Sequence, residues 1–411
     1  MTERVLVLNC GSSSVKYRLI EPVAGEVPAR GLVERIGSDA ARLQHTTTTD
    51  GTETRHEVPG PFGDHAAALD GVLRAFADHG PRLDTAGLVA VGHRVVHGGT
   101  RFSGPVTVDD EVLAAIEELA VMAPLHNPAN LEGIRTARKV FPDLPHVAVF
   151  DTAFHATLPE DAYRYPVPEQ WYREWGVRRY GFHGMSVAWS AERAAALLAR
   201  PVGELRTVVA HLGSGCSVTA VDGGRSVATS MGLTPLEGLM MGTRAGSIDP
   251  GTMFYLLRTG RLNADRLEDQ MEHQSGLLGV SGRTSDVREL VRMEAAGDEL
   301  ATLALQIFVR RAAECIAAAA TSLPTVDAIV FTGGIGENAP GLRARIVARL
   351  GSIGVAEIPE QAVVEDSVLS AETAPAARAG ATGSSPAVLR IEAREDLIVA
   401  REAARVVGAR A

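Results

Sequence analysis

Arg4-Val-Leu-Val-Leu-Asn-Cys-Gly-Ser-Ser-Ser-Val-Lys-Tyr-Arg-Leu-Ile20 opens as a short apolar run, breaks at a Gly/Ser turn and resumes in alternation. Val15, Tyr17 and Leu19 alternate with Lys16 and Arg18. That period of two marks a strand, so residues 4–20 are predicted to form a β-hairpin. The pattern recurs about 200 residues on: Thr207 to Leu212 is an apolar run, Gly213-Ser-Gly215 a turn, and Val218 and Val221 alternate with Ser217 and Thr219. Asp222-Gly223-Gly224 then signals another hairpin. A third strand-and-turn, Val326 to Phe331 followed by Thr332-Gly-Gly-Ile-Gly-Glu-Asn338, leads into a helix after Pro340. Two halves that each begin with a Gly/Ser-turned hairpin imply a duplicated α/β architecture with a cleft between the halves.

The remaining segments fit that frame. Gly31 to Ile36 and the Thr-rich stretch 42–58 are predicted strands, and Pro145 to Phe150 is a buried strand leading into Asp151. Asp64 to His79 and Asp109 to Met122 have helical apolar spacing, each opened by an Asp suited to capping. The Ala-rich stretch 298–322 is predicted to be one long helix, and residues 371–387 a flexible surface loop.

Composition excludes several classes. The 411 residues are 45% hydrophobic and 22% charged, which is an ordinary globular balance. That length suits two or three domains. Fifty acidic against 40 basic residues leave a net charge of −10, unlike a duplex-binding protein, so no nucleic-acid partner is expected. Cys10, Cys216 and Cys315 are odd in number and far apart, which excludes a disulfide framework and suits a reducing cytoplasm. The N-terminus has no basic n-region, and no apolar stretch approaches the ~20 residues that span a bilayer. A cytoplasmic protein with no membrane partner is expected. Only Lys16 and Lys139 among the basic residues are lysine, which singles out Lys16 beside the first turn.

Gly11, the hydroxyls of Ser12, Ser13 and Ser14, and Lys16 together resemble a phosphate cradle, although alone they also suit an ordinary polar hairpin turn. No G-x-x-x-x-G-K-[ST] is present. Ser13-x-x-Lys16 has acyl-serine hydrolase spacing, but the K-T-G such enzymes need is missing. His211-Leu-Gly-Ser-Gly215 could take the other end of a phosphate chain, while Thr332 to Asn338 lacks the third glycine of a dinucleotide fingerprint. His93 and His97 stand at i, i+4 without the Glu of a zincin, so Arg94 between them is the stronger candidate, as a carboxylate or phosphate clamp. His183 and Arg244 are each held between glycines, which leaves a side chain accessible from a turn. Asp151 ends an apolar strand, where ligands of open α/β sheets gather. Glu395, read alone, is a solvated helix start.

Taken together, LVLNCGSSSVK (6–16), GHRVVHGG (92–99), PLHNP (124–128), FDTAFH (150–155), YGFHG (180–184), HLGSG (211–215), LTPLEGLMMGTRAG (233–246), SDVR (285–288) and GGIGEN (333–338) closely resemble the acetate kinases. With the ED-containing terminal segment they run in family order across nearly the whole chain. The resemblance implies a duplicated actin/Hsp70-like (ribonuclease H-like) fold with a nucleotide cleft between two domains. The expected domains are 1–152, completed by 394–411, and 153–393. It also implies that Asn9 and Glu395 help bind Mg²⁺, with Mn²⁺ as a substitute, and that Lys16, Ser12 and Ser14 contact ATP. Arg94 would hold the acyl substrate, Asp151 would donate or accept a proton, and His183 and Arg244 would stabilise the transition state. His211, Leu212, Gly213, Ser214, Gly215, Asp286, Val287, Arg288, Gly334, Ile335, Gly336, Glu337 and Asn338 would bind the nucleotide. Val96, Leu125, Phe182 and Pro235 would receive the acyl methyl group, and the protein would be a homodimer.

The chain departs from that pattern at Ser214 (usually Asn), Met185 and Val187 (usually Thr and His), and Ala245 and Ser247 (usually Ser and Asp). The last change is expected to remove a carboxylate close to Arg244. The implied reaction is acetate + ATP ⇌ acetyl phosphate + ADP. Acetate is already ionised at pH 7 and needs no general base, so Asp151 is expected to orient or to assist metal binding. A propionate or butyrate kinase is the nearest alternative, since an apolar pocket discriminates a methylene by only ~1–3 kcal/mol. An inactivated nucleotide-binding regulator is the alternative of another class.

Overall fold

β1 (Arg4–Gly11) and β2 (Ser14–Ile20) pair antiparallel, closing the predicted hairpin from Val5 opposite Ile20 to Gly11 opposite Ser14. The computed structural model describes residues 2–83, 87–370 and 385–408. Most of the predicted 371–387 loop therefore lies outside the described residues. The chain divides into two compact units: Met1–Phe154 together with Arg394–Ala411, and His155–Ala393.

In the first unit the chain continues through β3 (Ala29–Glu34), β4 (Arg42–Thr49), β5 (Thr52–Val58), α1 (His65–His79), β6 (Leu88–Val95), β7 (Val106–Thr107), α2 (Asp110–Glu118), α3 (Asn127–Val140) and β8 (His146–Phe150). The Thr-rich segment is two strands, because Asp50 and Gly51 adopt positive φ and reverse the chain. Asp64 and Asp109 cap α1 and α2 as expected, each carboxylate accepting a backbone N–H at 2.8 Å. α2 ends at Glu118, earlier than predicted, and gives way to a short 3₁₀ turn.

The second unit holds α4 (Glu160–Tyr163), α5 (Glu169–Trp175), α6 (Gly184–Leu197), β9 (Arg206–Leu212), β10 (Cys216–Asp222), β11 (Arg225–Thr229), α7 (Pro250–Arg258), α8 (Ala264–His273), α9 (Gly276–Ser281), α10 (Val287–Ala295) and α11 (Glu299–Ala320). After these come β12 (Ala328–Thr332), α12 (Gly333–Asn338), α13 (Pro340–Val347), β13 (Ser367–Val368) and β14 (Ala387–Arg390); α14 (Glu395–Val406) belongs to the first unit.

Among the described residues the first sheet has the order β5-β4-β3-β2-β1-β6-β8-β7 and the second β11-β10-β9-β12-β14-β13. From β3 to β7 and from β11 to β13 the two sequences of strands match one for one. Each has an antiparallel hairpin, then two parallel neighbours, then an antiparallel edge strand. The duplication read from the two Gly/Ser turns is thus a duplication of whole sheets.

Alternation assigns the faces of the first sheet. Leu6, Leu8 and Cys10 of β1 pack with Val15, Tyr17 and Leu19 of β2 against Leu69, Val72 and Phe76 of α1 and Ala137 of α3. The other face is covered by α14, which packs on β1, β6 and β8 with Leu397, Val399, Ala400 and Ala403 buried. Gly92 makes room for it: a Cβ there would stand 2.9 Å from a methyl of Val399. Burying Leu397 and Val399 contributes about 1.5–3 kcal/mol each and the alanines less, so α14 is an integral layer of this unit. Among the described residues no helix is long and apolar enough to cross a membrane.

One element differs in kind from its prediction. Gly333 to Asn338, read as a turn before a helix at Pro340, is itself helical. Three glycines disfavour a helix, but tertiary bonds override that preference. The buried guanidinium of Arg343 donates to the carbonyls of Gly336, Glu337 and Gln361 at 2.8–3.0 Å. Gly333 enters with φ +77°, its Cα packed on the Leu212 backbone so closely that a Cβ would meet the Leu212 carbonyl oxygen at 2.8 Å.

Candidate active site

The first unit gathers charge at the C-terminal ends of its parallel strands. Arg94, near the end of β6, donates from Nη2 to Oδ2 of Asp151 at 2.6 Å and from Nε to Oδ1 at 3.1 Å. Asp151 follows β8 directly and is 1% exposed, its own N–H bonded to the Val95 carbonyl at 2.9 Å. Glu395, the first residue of α14, brings a second carboxylate 3.6 Å from Arg94 Nε. Parallel register pairs Val7 with Gly92 and Leu8 with His93, which sets Asn9 level with Arg94 on the face that α14 covers. The predicted Asn9, Arg94, Asp151 and Glu395 are therefore neighbours.

Their electrostatics follow from burial. Desolvation pushes the Asp151 carboxyl up to about 6, against the pull of Arg94 and with a further push from Glu395. Burial also works against the Arg94 charge, but the two carboxylates outweigh it and hold the guanidinium above its ordinary value. The oxygen donors of Asn9, Asp151 and Glu395 suit a hard divalent cation that keeps most of its shell for phosphate and water. Among the described residues no group of three or more His, Cys, Asp or Glu forms a complete cage.

The second unit builds its centre on the β9–β10 turn. Gly213 N–H donates to the Gly215 carbonyl at 3.0 Å, tightening the turn. A Cβ on Gly215 would lie 3.3 Å from His183 Nε2 and 3.7 Å from Arg244 Nη1, so both side chains converge on that backbone. His183 has φ +58°, a left-handed conformation that a non-glycine residue adopts only when its surroundings impose it. Its ring stacks on His211 with centroids 4.1 Å apart, and its Nδ1 bonds the Ser217 hydroxyl at 2.9 Å. His211 Nδ1 bonds in turn to Ser186 Oγ at 2.8 Å. Arg244 Nε donates to Glu272 Oε2 at 2.7 Å.

Beside this centre lies a cavity of about 430 Å³ lined by Ser214, Ser285, Asp286, Val287, Arg288, Gly334, Ile335, Asn338 and Ala339. Its size falls in the usual range for small-molecule sites. Asp286 caps α10, and Arg288 holds its carboxyl down at about 2. Seven of the predicted nucleotide residues thus line one cavity, joined by Ser285 and Ala339.

Other predicted residues stand elsewhere. Ser12, Ser14 and Lys16 belong to the first hairpin, in the other unit. Leu212 is fully buried, and Gly336 presents its carbonyl to Arg343. The Glu337 carboxylate accepts the Ala393 N–H at 3.0 Å and faces Arg390, so its oxygens are committed inside the fold. Of the four apolar-pocket residues, Val96 and Leu125 are in the first unit and Phe182 and Pro235 in the second. Val96 and Phe182 are buried, whereas Leu125 is 44% exposed. Met185 and Val187 are buried in the first turn of α6.

Arg244 has a carboxylate beside it from another element, that of Glu272, which the sequence reading missed. Ser247 Oγ instead accepts the Gly238 N–H at 3.0 Å. In the polar window Leu267-Glu-Asp-Gln-Met-Glu-His273 nothing distinguishes Glu272 from a solvated helix face, yet it is 8% exposed. Ser186 and Ser217 were likewise missed; their nearness to histidine depends on tertiary packing.

The model of the acetokinase family matches residues 4–401. The chain is 49% identical over 409 residues to the acetate kinase of Deinococcus radiodurans, covering 98% of each, and 47% identical over 408 residues to that of Streptomyces avermitilis, again covering 98% of each. Among solved structures, a propionate kinase from Francisella tularensis and the acetate kinase of Porphyromonas gingivalis each superpose with a TM-score of 0.88 at 37% identity. Each comparison covers 98% of this chain and all of the other.

Proposed function

The chain belongs to the acetokinase family, and from that premise we propose that it transfers the γ-phosphoryl group of ATP reversibly to acetate. A carboxylate oxygen of acetate attacks the γ-phosphorus, the bond to the ADP oxygen breaks, and acetyl phosphate and ADP leave. The acceptor arrives ionised, so positioning and charge stabilisation are what the protein supplies. The observation that carries this reading is the convergence of His183 Nε2 and Arg244 Nη1 on Gly215, in the turn whose Ser214 lines the 430 Å³ cavity. A cation and an imidazole held over a Gly/Ser turn suit the equatorial oxygens of a phosphoryl group in transfer.

Arg94 is the carboxylate clamp, and its fork already holds one carboxylate, that of Asp151, by two bonds. Asn9 and Glu395, with Asp151 nearby, are the residues that would hold Mg²⁺ or Mn²⁺ through oxygen. When bound, such a cation offsets charge on the phosphate oxygens. The 430 Å³ cavity would take the nucleoside, with the N-terminal end of α10 and the first turn of α12 on its walls. We further propose a homodimer in the cytoplasm; the exposed Phe254, Tyr255 and Leu257 of α7 with Ile248 before it support a protein contact there.

A second acceptor, propionate, is favoured by one observation: the Francisella tularensis propionate kinase superposes as well as the acetate kinase does. Trapping acyl phosphate as its hydroxamate, with acetate, propionate and butyrate in parallel, tests both readings. Acetate should give the highest kcat/KM. Higher values with propionate would reassign the acceptor, and no product with any of the three would reject the reaction.

A further inference from the structure

Arg244 sits in the loop Met241-Gly-Thr-Arg-Ala-Gly246, where a long, mobile side chain would ordinarily sample several directions. Here one edge of its guanidinium is fixed. Nε donates to Glu272 Oε2 at 2.7 Å, while Nη1 reaches toward Gly215 and makes a long 3.5 Å bond to the Pro235 carbonyl. Glu272 is itself held. The Thr243 hydroxyl donates to the Glu272 carbonyl at 2.8 Å, Ala245 N–H to the Met271 carbonyl at 3.1 Å, and Ser275 N–H to the Thr243 carbonyl at 2.8 Å. The loop that carries the arginine is therefore stitched, on both sides of it, to the helix end that carries the carboxylate. A buried carboxylate costs desolvation and persists where a charged partner repays it; Arg244 is that partner.

We propose that Glu272 is a positioning residue for Arg244: it fixes the Nε edge so that the Nη edge is aimed at the phosphoryl group in flight. The inference rests on the phosphoryl-transfer reading above. A group misplaced by about 1 Å can cost on the order of 100-fold in rate, so the effect belongs in kcat.

The test uses the purified full chain as parent, Glu272→Gln, Arg244→Ala and the double variant, with acetate and Mg-ATP in the hydroxamate assay and melting temperatures alongside. Gln keeps an acceptor oxygen and the volume but loses the charge. Glu272→Gln should lower kcat by ~10- to 100-fold, with KM for ATP and acetate within about 3-fold of the parent. In the Arg244→Ala background the same change should alter kcat less than about 2-fold, because nothing is left to position. If the glutamine variant does not fold, Glu272→Asp, which withdraws the carboxylate by one methylene, carries the same comparison. A kcat within about 2-fold of the parent, an equal fall in both backgrounds, or a rise in KM at unchanged kcat would each overturn the proposal. A parent without acetyl phosphate formation would instead overturn the reading on which it rests.

Discussion

Arg94 and Asp151 hold each other by two bonds, at 2.6 and 3.1 Å, and Asp151 is almost wholly buried. The geometry of a bidentate arginine–carboxylate pair is thus built into the fold of the first unit. In the proposed role of Arg94 as the acyl clamp, an incoming carboxylate would meet a guanidinium whose orientation is set by Asp151 on one side and Glu395 at 3.6 Å on the other.

Replacing either arginine of the proposed site should therefore fall mainly on turnover. Arg94→Ala and Arg244→Ala are each expected to lower kcat by at least ~100-fold, the order for losing one preorganised charge donor. Steady-state kinetics on purified variants decide it, and near-normal turnover in either would reject its assignment.

Asp151 should also leave a mark on stability against pH. Its carboxyl is raised to about 6 chiefly by burial. The folded protein therefore holds this proton more tightly than the unfolded chain, and the resulting stabilisation is complete below pH ~4 and lost as pH rises through about 6. Asp151→Asn cannot titrate. The stability of the parent relative to this variant should fall between pH 4 and 6, by an amount on the order of 1–3 kcal/mol. Denaturant unfolding of both proteins across that range measures it; a constant difference would contradict the raised carboxyl.

Ser214 is exposed in the wall of the 430 Å³ cavity, between two glycines that leave it room. Ser214→Asn extends an amide donor into that space, and one further bond to a charged oxygen contributes about 1.5–3 kcal/mol. A fall in KM for ATP of ~10- to 100-fold is expected, with the melting temperature unchanged. Constants that stay the same with ATP, GTP and pyrophosphate would show that this side chain does not reach the phosphates.

Gly92 should tolerate no larger residue. With a Cβ only 2.9 Å from Val399, Gly92→Val would push α14 off the sheet at a cost of about 1–3 kcal/mol. For a unit of this size that lowers the melting temperature by roughly 2–4 °C per kcal/mol. Calorimetry that finds no loss would mean that α14 is not tightly seated there.

How far the sequence could be read depended on whether the signal was local. The hairpins at 4–20 and 207–222 were legible because alternation and turn chemistry lie side by side in the chain. Glu395 was legible as a helix start, but its pairing with Arg94 spans some 300 residues, and no periodicity reports it. Glu272 was invisible for a related reason: neighbouring charges in α8 are solvated, and only tertiary closure makes this one buried. The helix from Gly333 to Asn338 was misread because its stability comes from Arg343 rather than from its own residues.

The covering of the first sheet by α14 has a consequence for how the protein is made. On the ribosome, β1, β6 and β8 emerge early, yet the helix that shields Gly92 and carries Glu395 follows only after all of residues 155–393. At roughly 5–20 residues per second, that delay is on the order of ten to fifty seconds. During it the nascent first unit presents one bare apolar sheet face, while the second unit, continuous in sequence, can finish folding. The layer that covers this face is thus the last part of the first unit to be made, and Arg94 meets its Glu395 partner only at the end of that interval.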